Sequence, residues 1–157
     1  MSETTRPPLT LTRRTILTGA GAGAFALAMP FPALGEAEDA DRAIRDLFGD
    51  GELNEGRVTV KVPPIAENGN SVSISVSVDS PMTDADHVKR IAIISPRNPI
   101  ATVANFELGP RAGKAAVSTR IRMAGTQRIR AVAEMSDGSL WVGSASTVVT
   151  LAACIVG

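Results

Sequence analysis

Between residues 72 and 78 the chain reads Val72-Ser73-Ile74-Ser75-Val76-Ser77-Val78, with β-branched apolar residues in strict alternation with serine. A period of two puts the Val and Ile side chains on one face of an extended strand and the hydroxyls on the other, so the segment predicts a strand with one buried and one wet face. The rhythm recurs upstream, where Val58, Val60 and Val62 alternate with Thr59 and Lys61. Further strand candidates are Val88 to Ser95, Thr102 to Leu108, Ala116 to Met123, Ile129 to Met135, Leu140 to Ser144 and Thr147 to Leu151. Turn formers separate them, among them Glu67-Asn68-Gly69-Asn70, Ser80-Pro81, Pro96-Arg97-Asn98-Pro99, Gly109-Pro110 and Ser136-Asp137-Gly138-Ser139. About eight short strands at roughly 8 to 12 residue spacing, with no helical period between them, predict an all-β fold, an immunoglobulin-like antiparallel β-sandwich. Only the architecture is implied, because the Cys…Trp…Cys spacing of true immunoglobulin domains is absent. Trp141, the single Trp, is expected to pack in the core or at an interface.

Upstream of the strands the period is helical. Ala40, Ala43, Ile44, Leu47 and Phe48 recur at the spacing of one helix face, which predicts a short amphipathic helix over Glu38 to Phe48 with Gly49 as its cap. A helix this short is not stable alone and needs a surface to bury its apolar face.

The first segment has the form of an export leader. Thr12-Arg13-Arg14-Thr15-Ile16-Leu17 is followed by an apolar, small-residue stretch from Thr18 to Met29, and then by Pro30, Pro32, Ala33 and Gly35. The paired arginines supply the positive end, and the apolar stretch is shorter than the roughly 20 residues a bilayer span requires. The expectation is a twin-arginine signal over 1–35, cleaved after Gly35 or Ala37, and a periplasmic location. The domain reading that follows is helix and linker over 36–55, sandwich over 56–151 and a C-terminal arm over 152–157. The twin-arginine route carries folded substrates, usually because they hold a cofactor or travel bound to another chain. No cofactor motif is visible, so a second chain lacking its own leader, exported as a passenger, is expected.

Composition excludes several functions. The 157 residues hold 16 Lys+Arg against 16 Asp+Glu, a formal net charge of +0, so the electrostatic footprint of a nucleic-acid or membrane-surface binder is missing. One Cys and one His leave no intrachain disulfide and too few ligands for a Cys/His zinc site, a haem or an iron–sulfur cluster. No cofactor and no metal are expected. No Ser lies in a Gly-x-Ser-x-Gly elbow and no Gly-rich loop opens a helix, so hydrolase and nucleotide-binding readings lack support.

Two side chains remain as candidates for chemistry. His87, in Asp84-Ala85-Asp86-His87-Val88, is either a general base or, as the local sequence favours, a loop His capped by nearby hydrogen bonds. Cys154, in Leu151-Ala152-Ala153-Cys154-Ile155-Val156-Gly157, is either a thiol kept for use near an exposed terminus or a small hydrophobe ending the last strand. No Lys, Arg or His follows Arg130, so nothing local in sequence lowers the thiol pKa, and no second Cys can resolve an oxidised thiol. A passive carrier, activated only inside another enzyme's pocket, suits these facts better than an autonomous redox enzyme.

The chain resembles the SoxY family, the sulfur-carrier subunit of the periplasmic thiosulfate-oxidising system. The resemblance is carried by Gly56-Arg57-Val58, by Pro63-Pro64-Ile65-Ala66-Glu67-Asn68-Gly69-Asn70, and by Val76-Ser77-Val78-Asp79-Ser80-Pro81-Met82 with Asp86-His87-Val88. It continues through Ser118-Thr119-Arg120-Ile121-Arg122 and Ala131-Val132-Ala133-Glu134-Met135-Ser136-Asp137-Gly138. It implies a β-sandwich paired with a second sandwich subunit of SoxZ type, exported as a passenger. It also implies that Cys154 holds sulfur intermediates covalently on a carrier arm. A haem-containing enzyme conjugates thiosulfate to the thiol, a hydrolase releases sulfate, and a sulfur dehydrogenase oxidises the sulfane sulfur that stays behind. The family's terminus is usually Gly-Gly-Cys-Gly-Gly. Here Ala152-Ala153 and Ile155-Val156 flank the Cys, and these bulkier, more strand-prone residues predict an ordered or partly strand-like arm. The alternative reading is a non-catalytic binding or structural sandwich of the same family whose Cys is inert.

Overall fold

The computed structural model describes residues 34–153. Helix α1 spans Leu34–Phe48 and is followed by nine strands: β1 Leu53–Glu55, β2 Val58–Lys61, β3 Ile65–Asn68, β4 Val72–Val78, β5 Val88–Ile94, β6 Thr102–Glu107, β7 Ala116–Ile121, β8 Gln127–Met135 and β9 Leu140–Leu151. The large sheet runs β1-β9-β8-β5-β6, with β3 added further along the same edge of β9, and the small sheet runs β2-β4-β7. Every pairing among β5, β6, β8 and β9, and every pairing in the small sheet, is antiparallel. The expected antiparallel β-sandwich with a short N-terminal helix is the observed fold.

β4 shows how the alternation is realised. Val72, Ile74, Val76 and Val78 are buried between the sheets, while Ser73 and Ser77 face water and Ser75 shares a hydroxyl hydrogen bond of 2.9 Å with Ser118 across the ladder. Opposite them Ile91, Ile93, Ile129, Ala131, Ala133 and Met135 complete the core. Strand β5 departs from simple alternation, since Ile91 through Ile94 are all fully buried. The reason is the helix. Ala40 and Ile44 of α1 sit on Ala92, Ile94, Val132 and Leu140, so the outer face of the large sheet is covered here as well. Burying Ile44 is worth about 2 kcal/mol. The half-exposed Arg130–Asp41 ion pair that also ties α1 to the sheet adds at most about 1 kcal/mol, so apolar burial holds the helix.

The helix ends where expected, with Gly49 in the left-handed region at φ 77 and its N–H donating to the Arg45 carbonyl at 2.8 Å. It begins at Leu34, four residues before the expected start. Arg90 fastens its C-terminal end. The guanidinium donates to the Leu47 carbonyl at 3.1 Å and to Glu134 at 2.8 Å, and lies over the Phe48 ring at 4.3 Å.

Three differences from the sequence expectation concern the edge of β9. The two candidates ending and beginning around Ala145 are one twelve-residue strand, because Ser144, Ala145 and Ser146 contain no Gly or Pro to break it. β1 and β3 were not expected, the latter because Glu67-Asn68-Gly69-Asn70 read as turn. Both add in parallel, Leu53 opposite Leu140 and Ile65 opposite Val148, and parallel partners distant in sequence leave no local pattern. Between them the chain crosses from β1 to the small sheet directly over Gly143. A Cβ there would meet the Val58 carbonyl oxygen at 2.2 Å, so only glycine lets the crossing lie flat.

Glu134 gives the fold a pH dependence. Hydrogen bonding from Lys89 is the largest cause lowering its pKa from the ordinary value of 4.5, opposed by desolvation and assisted by Arg90. A carboxyl whose folded pKa is depressed contributes stability that is fully present above its unfolded pKa and lost as pH falls through the folded one. Glu134→Gln is therefore expected to cost about 1 kcal/mol at pH 7 in urea unfolding, with the gap to wild type closing on acidification below about pH 4. A gap that stays constant from pH 7 to pH 3 would show that the carboxylate's charge contributes nothing.

Candidate functional site

The last strand delivers the chain end to a small knot of backbone hydrogen bonds. Gly69 N–H donates to the Leu151 carbonyl at 2.8 Å, Met123 N–H donates to the Gly69 carbonyl at 2.8 Å, and Ala153 N–H donates to the Met123 carbonyl at 3.0 Å. Three segments far apart in sequence, the β3–β4 turn, the β7–β8 loop and the chain end, thus share one set of bonds. Side chains brace the knot. Asn68 Oδ1 accepts the Asn70 N–H at 2.8 Å and shapes the turn. Asn98 donates to the Arg122 carbonyl at 2.8 Å and accepts the Ala124 N–H at 2.9 Å, and Thr126 Oγ1 accepts the Val149 N–H at 2.9 Å.

This is the root of the arm. The backbone is held in place through Ala153, and Cys154, the candidate attachment residue, lies outside the described residues. The expected ordered arm around Cys154, Ile155 and Val156 lies outside the described residues. A cation that sequence proximity could not reveal stands beside the root. Arg97 donates to the Thr126 carbonyl at 2.8 Å, in the same loop whose Met123 carbonyl holds Ala153. A neighbouring cleft of about 420 Å³ opens between the edges of β6 and β7, lined by Asn98, Pro99, Ile100, Val103, Arg120 and Arg122.

His87 lies at the other end of the large sheet. It precedes β5, whose Val88 pairs with Met135, whereas the root adjoins the start of β8 at Gln127. Eight residues of strand at about 3.4 Å each put roughly 27 Å between the two ends, so His87 is no general base for the root. Its Nδ1 lies 3.1 Å from the Thr83 carbonyl and its backbone N–H donates to Ser136 Oγ at 3.2 Å, the locally capped loop His that the sequence favoured. Trp141 packs against the core, donates to Ser139 Oγ at 3.1 Å and carries the Arg57 guanidinium 4.9 Å from its ring centre. Among the described residues no group of three or more His, Cys, Asp or Glu side chains is placed to hold a metal ion.

What the sequence missed is Gly69. It read as one member of a turn, yet a Cβ there would meet the Met123 carbonyl oxygen at 2.4 Å and the Ala153 nitrogen at 3.0 Å. The available signal was Asn68-Gly69 itself, which marks a tight turn but not what lies against it.

No curated protein sequence is similar enough to count as a match. Among solved structures, the sulfur carrier protein SoxY from Chlorobium limicola f thiosulfatophilum is 34% identical at a TM-score of 0.62, over 73% of this chain and 99% of that one. A superoxide reductase (neelaredoxin) from Ignicoccus hospitalis, 14% identical at a TM-score of 0.53 over 60% of this chain and 80% of that one, shares the sandwich fold and no more. Residues 44–154 match the family described as sulfur oxidation protein SoxY, a span running from α1 to the candidate thiol. A sandwich of this topology, matched over most of its length and ending beside a single thiol, places the chain in the SoxY family.

Proposed function

We propose that this protein carries sulfur intermediates covalently on Cys154 and is itself not an enzyme. The carrying observation is the position of the only thiol in the chain, one residue beyond Ala153, at which three linked backbone hydrogen bonds end. A rigid platform with a reactive group at the end of a short arm suits delivery into another protein's pocket, because fixing the root removes conformational freedom that binding would otherwise have to suppress.

The step is oxidative conjugation. The Cys154 thiolate and the outer sulfur of thiosulfate form an S–S bond, and the two electrons released pass to a haem-containing partner. Water then cleaves the sulfonate from the adduct as sulfate, leaving a persulfide whose outer sulfur a dehydrogenase oxidises. Both thiolate and adducts are anionic, so a cationic lining in the partner's pocket would favour them. The twin-arginine leader supports action in the periplasm and arrival there with a passenger subunit of similar sandwich type.

Native mass spectrometry tests the reading. Protein taken from cells oxidising thiosulfate is expected to show sulfur-containing mass increments that map to Cys154 and vanish on thiol reduction, and the reduced protein is expected to label with a small thiol reagent without denaturant. A thiol that labels only after unfolding, and never carries sulfur, would establish the inert-cysteine alternative.

A further inference from the structure

The outer face of the small sheet is built mainly of hydroxyls and cations. The apolar side chains of β2, β4 and β7 turn inward, and the outward positions hold Thr59, Ser73, Ser75, Ser77 and Ser118. The charges set among these hydroxyls have one sign. Lys61 is the cross-strand partner of Ser75, Arg120 is the partner of Ser73, and Arg122, just past the end of β7, borders the same cleft as Arg120. No Asp or Glu occurs in any of the three strands, although the whole chain holds as many acidic as basic residues. The ion pairs among the described residues tie Arg42, Lys89, Arg90 and Arg130, and they leave Lys61, Arg120 and Arg122 without a carboxylate.

This composition decides what kind of contact the face can make. None of the large apolar residues exposed among the described residues lies on β2, β4 or β7. Permanent interfaces are built around an apolar centre, so the face does not suit a partner that stays. It suits one that binds and leaves. Small hydroxyl side chains lose little freedom on docking, and cations without carboxylates speed encounter with an acidic surface while adding no apolar burial to slow release. The place matters as much as the charge. Arg122 precedes Met123, whose carbonyl accepts the Ala153 N–H, so the cationic end of the sheet adjoins the arm root.

We infer that this face, through Lys61, Arg120 and Arg122, is the transient docking surface for the enzymes that receive the arm, an inference that rests on the carrier reading above. Charge complementarity sets the partner's chemistry. Each such enzyme presents a carboxylate-bearing surface beside the mouth of its pocket, which meets the three cations while the residues beyond Ala153 enter the pocket. One face can then serve several enzymes in turn, because electrostatic matching requires opposite sign and rough spacing and does not require a shared shape.

The test is steady-state turnover of the mature carrier, in the assembled form in which it is exported, by the purified conjugating enzyme and separately by the sulfate-releasing hydrolase of the same organism. Wild-type kcat/KM is expected to fall about tenfold between about 20 mM and about 500 mM salt as screening shortens the reach of the cations, a readout that needs no variant. The double variant Arg120→Glu with Arg122→Glu is expected to raise KM about tenfold at low salt with kcat and Tm unchanged, and to lose most of the salt dependence. Arg111→Glu with Lys114→Glu makes the same change in net charge ahead of β7, at the opposite end of the sheet, and is expected to behave as wild type. Labelling of Cys154 by an uncharged thiol reagent is expected to be equal in all three proteins, which places the loss in docking. An unchanged KM in the first double variant, an equal rise in the second, or labelling that falls together with turnover would each overturn the inference. So would binding of the wild type to phosphatidylglycerol vesicles with enzyme kinetics indifferent to Arg120 and Arg122, which would give the face to a lipid surface. A wild type that acquires no sulfur on Cys154 from either enzyme overturns the carrier reading itself, a result distinct from a carrier that loads normally whatever stands at 120 and 122.

Discussion

Cys154→Ser is expected to reduce thiosulfate-dependent turnover of the reconstituted pathway to background, while Tm and subunit binding stay at wild-type values. The hydroxyl is nearly isosteric with the thiol, but its pKa is far higher and an O–S bond does not substitute for the disulfide linkage the conjugation step forms. A thiol reacts through its thiolate, so a partner's pocket that favours the thiolate is sufficient to activate it. Nothing described in the core depends on residue 154, because the sandwich closes at Leu151 and the last bond of the knot is made by Ala153. A Ser variant that unfolds would identify the Cys as a packing residue. One that turns over normally would remove it from the mechanism.

Gly69→Ala is expected to be the most damaging single-methyl change near the root. Its Cβ would lie 2.4 Å from the Met123 oxygen, 3.0 Å from the Ala153 nitrogen and 3.2 Å from the Leu151 oxygen, all of them backbone atoms that cannot rotate away. Relief requires separating the turn, the β7–β8 loop and the chain end, with loss of one or more of the three bonds between them. Overpacking costs about 1–3 kcal/mol and each lost hydrogen bond about 1 kcal/mol, so a loss of about 2–4 kcal/mol and a Tm lowered by roughly 10 °C are expected. Sulfur loading is expected to slow as well, since the platform that presents the arm is displaced. Gly109→Ala is the control. Its φ of −144 is open to any residue and nothing lies within 4 Å of the added methyl, so it is expected to behave as wild type. Equal melting temperatures for the two variants would show that the knot is soft and does not define the root.

Much of this molecule was readable along the chain. The Val72–Val78 alternation named both the strand and its buried face, Ala40 and Ile44 named the face of the helix, and Gly49 named its end. The thiol was readable too, since one Cys close to the terminus admits few roles. These features are local, because strand and helix periods are written within a few residues and a side chain's chemistry belongs to the residue itself. What the tertiary structure alone decided is who the neighbours are. The alternation that buries Ile74 and exposes Ser75 would have buried Ile65 and Val148 as readily, since composition treats all three aliphatic residues alike. Their exposure follows from α1 ending its cover at Val142. Likewise the parallel seats of β1 and β3, the arrival of Arg97 at the root and the close approach at Gly69 join residues up to 87 positions apart. Such contacts are fixed by the closure of the two sheets around a shared core, where excluded volume acts between backbones regardless of their separation in sequence.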